Sequence, residues 1–268
     1  MTLESFEKID ADNQLVAIGE KLEETSIKDL SSYSLDTSML IPKFESCSDL
    51  KKDSSDDDGL YTLWSNDQQK FIPTLCKFDS TGSYAVMQSR VKDKTDGTFH
   101  FTTIDGYTEG FGSSFDKFWL GLERIHEITR SKPLMKIVLS NDDIVEEYVY
   151  EDFSVSSKED AFRLSYGSFK TDGSVDSLSF SRGAPFVDRR VSSFGDEYRC
   201  FLSGGWWFNC TTSVGRSGFS YSHVQSNLNG LFSDKTDIEK IRSNRWEAWP
   251  FELNSYHEFT ETEILLSN

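Results

Sequence analysis

Positive charge is scarce in this chain. Against 45 aspartates and glutamates stand 28 lysines and arginines, a formal net charge of −17. No basic stripe is present to release counterions from a phosphate backbone, so nucleic acid is not expected as a partner. Long apolar runs are also missing, which excludes a helix that crosses a bilayer. Met1 to Asp10 show no basic start running into an apolar core, so no signal peptide is visible there. Histidine is rare. His100, His126, His223 and His257 stand in unrelated contexts, and no Ser/His/Asp or Cys/His set can be assembled from them. The chain has no Gly-x-Ser-x-Gly elbow, no phosphate-binding loop, no His-Glu-x-x-His and no Gly-x-Gly-x-x-Gly, so an enzyme is not expected. The acidic stretch Asp53-Ser-Ser-Asp-Asp-Asp-Gly59 fails as a calcium loop. Setting Gly59 at the sixth position puts Ser54 first and Ser65 last, where an aspartate and a bidentate glutamate are required. It reads as a solvated turn.

What is present suits one large domain with an appendage. A length of 268 residues is enough to bury a sizeable core. In residues 1–46, Leu3, Phe6, Ile9, Leu15, Ile18 and Leu22 recur at helical spacings among charged residues, which predicts an amphipathic helix. The pattern covers too few heptads to specify a coiled coil. Residues 31–38 read as a polar linker.

Beyond residue 46 the sequence reads as short strands separated by turns. Leu134-Met-Lys-Ile-Val-Leu139 and Ile144-Val-Glu-Glu-Tyr-Val-Tyr150 have the β-branched and aromatic content of paired strands, with Ser140-Asn-Asp-Asp143 as their turn. Residues 115–126 are expected to begin as a loop and continue as strand or turn rather than helix, and residues 158–162 follow a serine-rich cap. Phenylalanine, tyrosine and tryptophan make up 14% of the chain and are spread throughout, as core-filling residues would be. The four cysteines show no Cys-x-x-Cys spacing for metal or redox chemistry. They allow three pairings, between which the spacing alone does not choose.

One segment stands apart. Cys200-Phe-Leu-Ser-Gly-Gly-Trp-Trp-Phe-Asn-Cys210 is followed by Ser226-Asn-Leu-Asn-Gly230. Other landmarks run in order: Cys47-Ser-Asp-Leu50, Gly59-Leu-Tyr-Thr-Leu-Trp64, Cys76, Tyr84-Ala-Val-Met-Gln-Ser-Arg90 and Tyr107-Thr-Glu-Gly-Phe-Gly112. After them come Phe118-Trp-Leu-Gly-Leu-Glu-Arg-Ile-His126, Trp246-Glu-Ala-Trp249 and Thr262-Glu-Ile-Leu265. Together these resemble the signature of the fibrinogen C-terminal domain family. The resemblance implies an α+β globular domain over residues 47–268, with a central, mostly antiparallel sheet, short helices, long loops and disulfide staples. It implies pairing of Cys47 with Cys76 and of Cys200 with Cys210. Residues 1–46 would then be the stub of an oligomerising helical stalk or a helix packed on its own domain.

The family also implies function. Its members are secreted, extracellular recognition modules, so a leader, or more of a longer chain, is expected outside this sequence. Its lectin-like branch, such as ficolins, holds acetyl groups beside the second disulfide, with a cis peptide bond before the last cysteine. The matching bond is Asn209 to Cys210, and the matching wall is Phe208, Cys210 and Thr211, with Trp206 and Trp207 as core anchors beneath. The loop between the cysteines is shorter than the family's, Thr211 stands where a histidine often does, and residues 212–225 are inserted. Tyr221 and His223 in that insertion are therefore added to the candidate ligand-binding set. The family commonly holds calcium just upstream. Here Asp188 matches one carboxylate but Arg190 occupies the place of the next, and a guanidinium cannot ligate a cation. Asp196 and Glu197 stand nearby at a different spacing, so no cofactor is expected. The reading is a non-catalytic lectin-like module of innate-immune or host-interaction type. The alternative is an adhesion, matrix or receptor-binding protein that works through protein contacts.

Overall fold

The structure, a computed structural model, describes residues 43–52, 57–92, 99, 102–188, 204–208, 226–230, 232, 245–246 and 259–267. The expected N-terminal helix and the expected pairing of Cys200 with Cys210 lie outside them. In order along the sequence the elements are α1 (Cys47–Lys52), β1 (Gly59–Ser65), β2 (Lys70–Phe78), β3 (Ser83–Val91), α2 (Ile104–Glu109), β4 (Phe111–Ser114), β5 (Lys117–Trp119) and α3 (Leu122–Thr129). Next come β6 (Met135–Ser140), β7 (Val145–Glu151), β8 (Ser154–Val155), β9 (Leu164–Ser165), β10 (Ser168–Phe169) and β11 (Phe186–Val187). The last are β12 (Trp206–Trp207), β13 (Ser226–Asn227), β14 (Arg245–Trp246) and β15 (Glu261–Ser267).

Among the described residues the main sheet runs β1-β2-β3-β15-β6-β7-β10, and every pairing in it is antiparallel. The last of these strands in sequence, β15, therefore sits at the centre, between β3 and β6. Its Thr262, Ile264, Leu265 and Leu266 are all buried, as expected for a strand flanked on both sides. Pro73 in β2 has no N–H for a ladder. The sheet accommodates it because β3 pairs with β2 only at Cys76, Lys77 and Phe78, and β5 takes over that edge of β3 at Gln88, Ser89 and Arg90. The expected hairpin at 134–150 is present, running from Met135 opposite Tyr150 to Ser140 opposite Val145.

Residues 115–126 depart from expectation. The strand β5 ends at Trp119, and α3 begins at Leu122, where strand or turn was expected. Gly121, at φ 97°, makes the switch. A Cβ there would stand 2.7 Å from the carbonyl oxygen of Glu109, so only glycine lets the two backbones pass. From that point Leu122, Ile125 and Ile128 recur every third residue on one buried face. The extended look of Phe118-Trp-Leu hid a helical period that starts only after the glycine.

The first disulfide joins Cys47 to Cys76, with both residues fully buried and a sequence separation of 29. A loop of that size contributes about 3–4 kcal/mol by restricting the unfolded chain. The other end of β1 is tied to α3 by Glu127. Its carboxylate accepts from the Ser65 hydroxyl at 2.7 Å, the Asn66 N–H at 2.8 Å and the Arg124 guanidinium at 2.6 Å. Arg124 in turn donates to the Glu45 carbonyl at 2.8 Å, and Trp64 N–H donates to the Phe44 carbonyl at 2.7 Å, so residues 44 and 45 are bound into the body.

Burial by itself would raise the Glu127 carboxyl, but the Ser65, Arg124 and Asp67 donors outweigh it and hold the group below its ordinary value of 4.5. A carboxylate depressed in the folded state stabilises the fold above its unfolded pKa and loses that contribution as pH falls. Glu127→Gln should therefore lower stability by about 2–3 kcal/mol at neutral pH. It should also flatten the decline in melting temperature that the parent shows below about pH 4.5. An unchanged acid limb would show that Glu127 is not the responsible group.

Candidate functional site

The Gly-Gly-Trp-Trp segment is built from behind by aromatic packing. Trp206 and Trp207 form β12 and pair with β11, Phe186 opposite Trp207 and Val187 opposite Trp206. Both indoles are fully buried, as expected for core anchors. Trp206 Nε1 donates to Ser226 Oγ at 3.2 Å, and Trp207 Nε1 donates to the Phe162 carbonyl at 2.6 Å. Trp207 also meets Phe186 at 5.0 Å and Trp119 at 6.4 Å between ring centroids. The carbonyl that receives Trp207 belongs to a strained turn. Ala161 and Phe162 both adopt left-handed backbone, at φ 56° and 51°, a costly conformation for residues with a Cβ. Phe186 N–H donates to the Ala161 carbonyl at 3.0 Å, so the turn positions β11 and β12 together.

The segment is held from the other side by the Ser-Asn-Leu-Asn-Gly stretch. Asn229 Nδ2 donates to the Gly205 carbonyl at 2.7 Å. Gln88 Nε2, on β3, donates to Asn229 Oδ1 at 2.7 Å and to the Leu228 carbonyl at 2.9 Å, while Thr262 on β15 donates to Gln88 Oε1 at 2.8 Å. Arg90, two residues along β3, donates to the carbonyls of Leu228 and Gly230. Its guanidinium lies between the rings of Phe99 and Phe232, 4.5 and 4.6 Å from their centroids. Burial pulls its pKa down to about 9, opposed by nearby Tyr107, which leaves it a cation at neutral pH.

Of the residues assigned to ligand contact from sequence, Phe208 is described. It is 6% exposed and belongs to the core cluster, with its N–H donating to the Trp206 carbonyl at 3.1 Å. Cys210, Thr211, Tyr221 and His223 lie outside the described residues, as do the Asn209 to Cys210 bond and the inserted segment 212–225. Asp188, the one described member of the calcium set, is also buried. Its Oδ2 accepts the Ile104 N–H at 2.8 Å, at the first turn of α2, where a carboxylate satisfies an otherwise open donor. No group of three His, Cys, Asp or Glu side chains able to hold a metal is found among the described residues. Of this stretch the structure describes Asp188, which serves the helix; Arg190, Asp196 and Glu197 lie outside the described residues.

A second polar group escaped the sequence reading. Asp176 accepts from the Tyr166 hydroxyl at 2.7 Å and the Tyr150 hydroxyl at 3.2 Å, and from the Leu178 N–H at 3.0 Å. Burial, with the carboxylate beside them, pushes both phenols above their ordinary range. Trp246 packs against this group, 6.5 Å from Tyr150 and 5.3 Å from Tyr148. The alternation of Glu146, Tyr148 and Tyr150 along β7 was the available signal, since it places all three on one face. In sequence Trp246 stands out only as a family landmark.

Comparison with known proteins follows the same lines. The sequence profile described as "Fibrinogen beta and gamma chains, C-terminal globular domain" matches residues 43–264. Mouse angiopoietin-4 is 27% identical over 223 residues, covering 81% of this chain and 41% of that protein. Human microfibril-associated glycoprotein 4 is 26% identical over 228 residues, covering 81% of this chain and 82% of that protein. Chicken tenascin-R is 28% identical over 202 residues, covering 73% of this chain and 14% of that protein. The chain thus spans less than half the length of the angiopoietins it matches, 41% for mouse angiopoietin-4 and 44% for rat angiopoietin-2. Among solved structures, the fibrinogen-like globe domain of human ANGPTL6 shares the fold at a TM-score of 0.63 and 22% identity, covering 85% of this chain and 96% of that one. Lamprey fibrin D-dimer, complexed with the peptide Gly-His-Arg-Pro-amide, shares it at 0.62 and 20%, covering 90% and 79%.

Gly205 tests whether the segment is as closely packed as this geometry requires. A Cβ there would lie 2.6 Å from the rings of both Phe186 and Tyr107, two side chains locked in the aromatic core. Gly205→Ala should cost about 1–3 kcal/mol through overpacking. Chemical denaturation would read this as a lower midpoint with an unchanged slope, and no loss of stability would contradict the packing.

Proposed function

The protein belongs to the family of C-terminal globular domains of the fibrinogen β and γ chains, and from that membership we propose that it is an extracellular recognition module that binds its ligand without chemical turnover. The observation that carries this reading is where the structure spends its buried polar groups. Gln88, Arg90 and Asn229 are committed to backbone carbonyls and to one another, a design that fixes loop shape. Among the described residues no histidine joins this network; His126 is turned to the Val155 carbonyl. The names of the relatives support an extracellular setting: one is a microfibril-associated glycoprotein.

The finer reading is lectin-like. A glycan or acetylated ligand would meet the surface formed by Phe208, Cys210 and Thr211 with Tyr221 and His223 of the insertion, in an innate-immune or host-interaction role. A second reading, recognition of a protein, has its own support. The lamprey fibrin D-dimer that shares the fold is described in complex with a peptide ligand, and Phe208 is packed into the core rather than offered to solvent. On either reading the helix expected within residues 1–46 would serve assembly into a homo-oligomer or pack on its own domain.

A glycan array run beside a panel of extracellular matrix and receptor proteins separates the two. Under the lectin-like reading, binding is confined to glycans and is lost when Tyr221 and His223 are replaced by alanine in a protein with an unchanged melting temperature. Binding confined to proteins would overturn it in favour of the second reading, and robust turnover of any substrate would overturn both.

Calcium plays no part in this proposal. Asp188 is engaged by α2 and Arg190 stands in place of a carboxylate, so millimolar calcium should leave the melting temperature unchanged within about 1 °C, since stabilisation requires preferential binding to the folded state. A clear rise that disappears in Asp188→Asn would place the ion here after all.

A further inference from the structure

Two hydrogen-bond donors are buried side by side at the β7 end of the sheet with nothing to donate to. Tyr148 is 1% exposed and Trp246 is 4% exposed, and neither the Tyr148 hydroxyl nor the Trp246 Nε1 has a partner among the described residues. Their rings are in contact at 5.3 Å. A buried donor left open costs about 1–3 kcal/mol, so two in one contact is an expensive arrangement unless something with acceptor atoms occupies it. Among the described residues, the side chains opposite them do not accept from them. Tyr148 stands opposite Ile137 on β6, and Trp246 stands opposite Ser226, whose hydroxyl already accepts from Trp206.

The third member is Glu146, which lies on the same face of β7 two residues before Tyr148 and is half-buried at the end of the strand. Burial, and then the negative charge of Glu146, push the Tyr148 phenol above its ordinary range, so the carboxylate is close enough to be felt. That charge decides the chemistry. A carboxylate or phosphate brought to the two donors would be repelled by Glu146, whereas a neutral group with an acceptor oxygen and a donor of its own satisfies all three.

We propose that Tyr148, Trp246 and Glu146 form a binding site for a neutral amide group. The carbonyl oxygen, with two lone pairs, accepts from the Tyr148 hydroxyl and the Trp246 indole N–H, and the amide N–H donates to the Glu146 carboxylate. An acetamido group of a sugar and the amide of a peptide share this chemistry. The site deepens the recognition reading given above and rests on it for its purpose, while its existence is tested separately. Among the described residues, Trp246 is linked to Trp206 through Ser226.

The experiment observes the indole N–H signals of 15N-tryptophan-labelled protein during titration with acetamide, then with N-acetylglucosamine and with N-acetylglycine N-methylamide. The Trp246 signal is identified by its disappearance in Trp246→Phe or, if that variant does not fold, by its displacement in Tyr148→Phe. Saturable movement of that signal is expected, and whichever of the larger probes binds more tightly names the source of the amide. Tyr148→Phe should act in two opposite directions. It should raise the melting temperature of the free protein, because an open buried donor is removed, and weaken acetamide about fivefold to tenfold, as loss of one neutral hydrogen bond does. A Tyr148→Phe variant with a lowered melting temperature would mean that the hydroxyl is already bonded, by water or by the protein itself, and would overturn the site. So would a Trp246 signal that no probe moves. N-acetylglucosamine binding that leaves Trp246 still would defeat this site while sparing the recognition reading. Acetamide binding here beside a silent glycan and protein panel would support the site and defeat that reading.

Discussion

A guanidinium taken out of water on β3, beside the central strand, is the constraint on which the signature region depends. Arg90 is 3% exposed, and a buried cation without fixed acceptors would be strongly destabilising. Its acceptors are the carbonyls of Leu228 and Gly230, and its faces are covered by Phe99 and Phe232. Residues 228–230 therefore cannot relax away from β3 without leaving the charge exposed in a medium that cannot solvate it. Gln88 adds a neutral clamp from the same strand. Because the amide of Asn229 spans from Gln88 to the Gly205 carbonyl, the position of the Gly-Gly-Trp-Trp segment is referred directly to the middle of the sheet.

The aromatic core completes that frame. Trp207 is wedged among Phe186, Trp119 and Trp206, and its one polar atom is spent on the Phe162 carbonyl, inside a turn whose two left-handed residues would be unfavourable alone. The β7 end of the sheet is built on a different principle. Asp176 satisfies Tyr150 and Tyr166 completely, while Tyr148 and Trp246 beside them retain open donors. The core thus closes one pair of tyrosine hydroxyls and leaves their neighbour open within a few residues.

The fold was legible where local pattern and long-range partner agree. The hairpin of β6 and β7 follows from two β-branched runs around a polar turn, and the link between Cys47 and Cys76 follows from landmarks that keep their order along the sequence. The helix α3 was not legible, because its apolar period starts only after Gly121 and the preceding Phe118-Trp-Leu reads as strand. Nor was the role of Asp188, since a carboxylate looks the same in sequence whether it serves a cation or the first N–H of a helix some eighty residues earlier.

By itself the sequence determined the family, the antiparallel class of the sheet and the burial of Trp206 and Trp207. These follow from the resemblance of its motifs to the fibrinogen C-terminal domain family, and one sequence displays the motifs and their order in full. Only the tertiary structure decided which polar groups are satisfied. Gln88, Thr262 and Asn229 meet across separations of 141 and 174 residues, and Tyr148 meets Trp246 from strands that do not pair with each other. Hydrogen-bond satisfaction is a property of where donors and acceptors arrive in space, and neither hydropathy nor periodicity carries that information along the sequence.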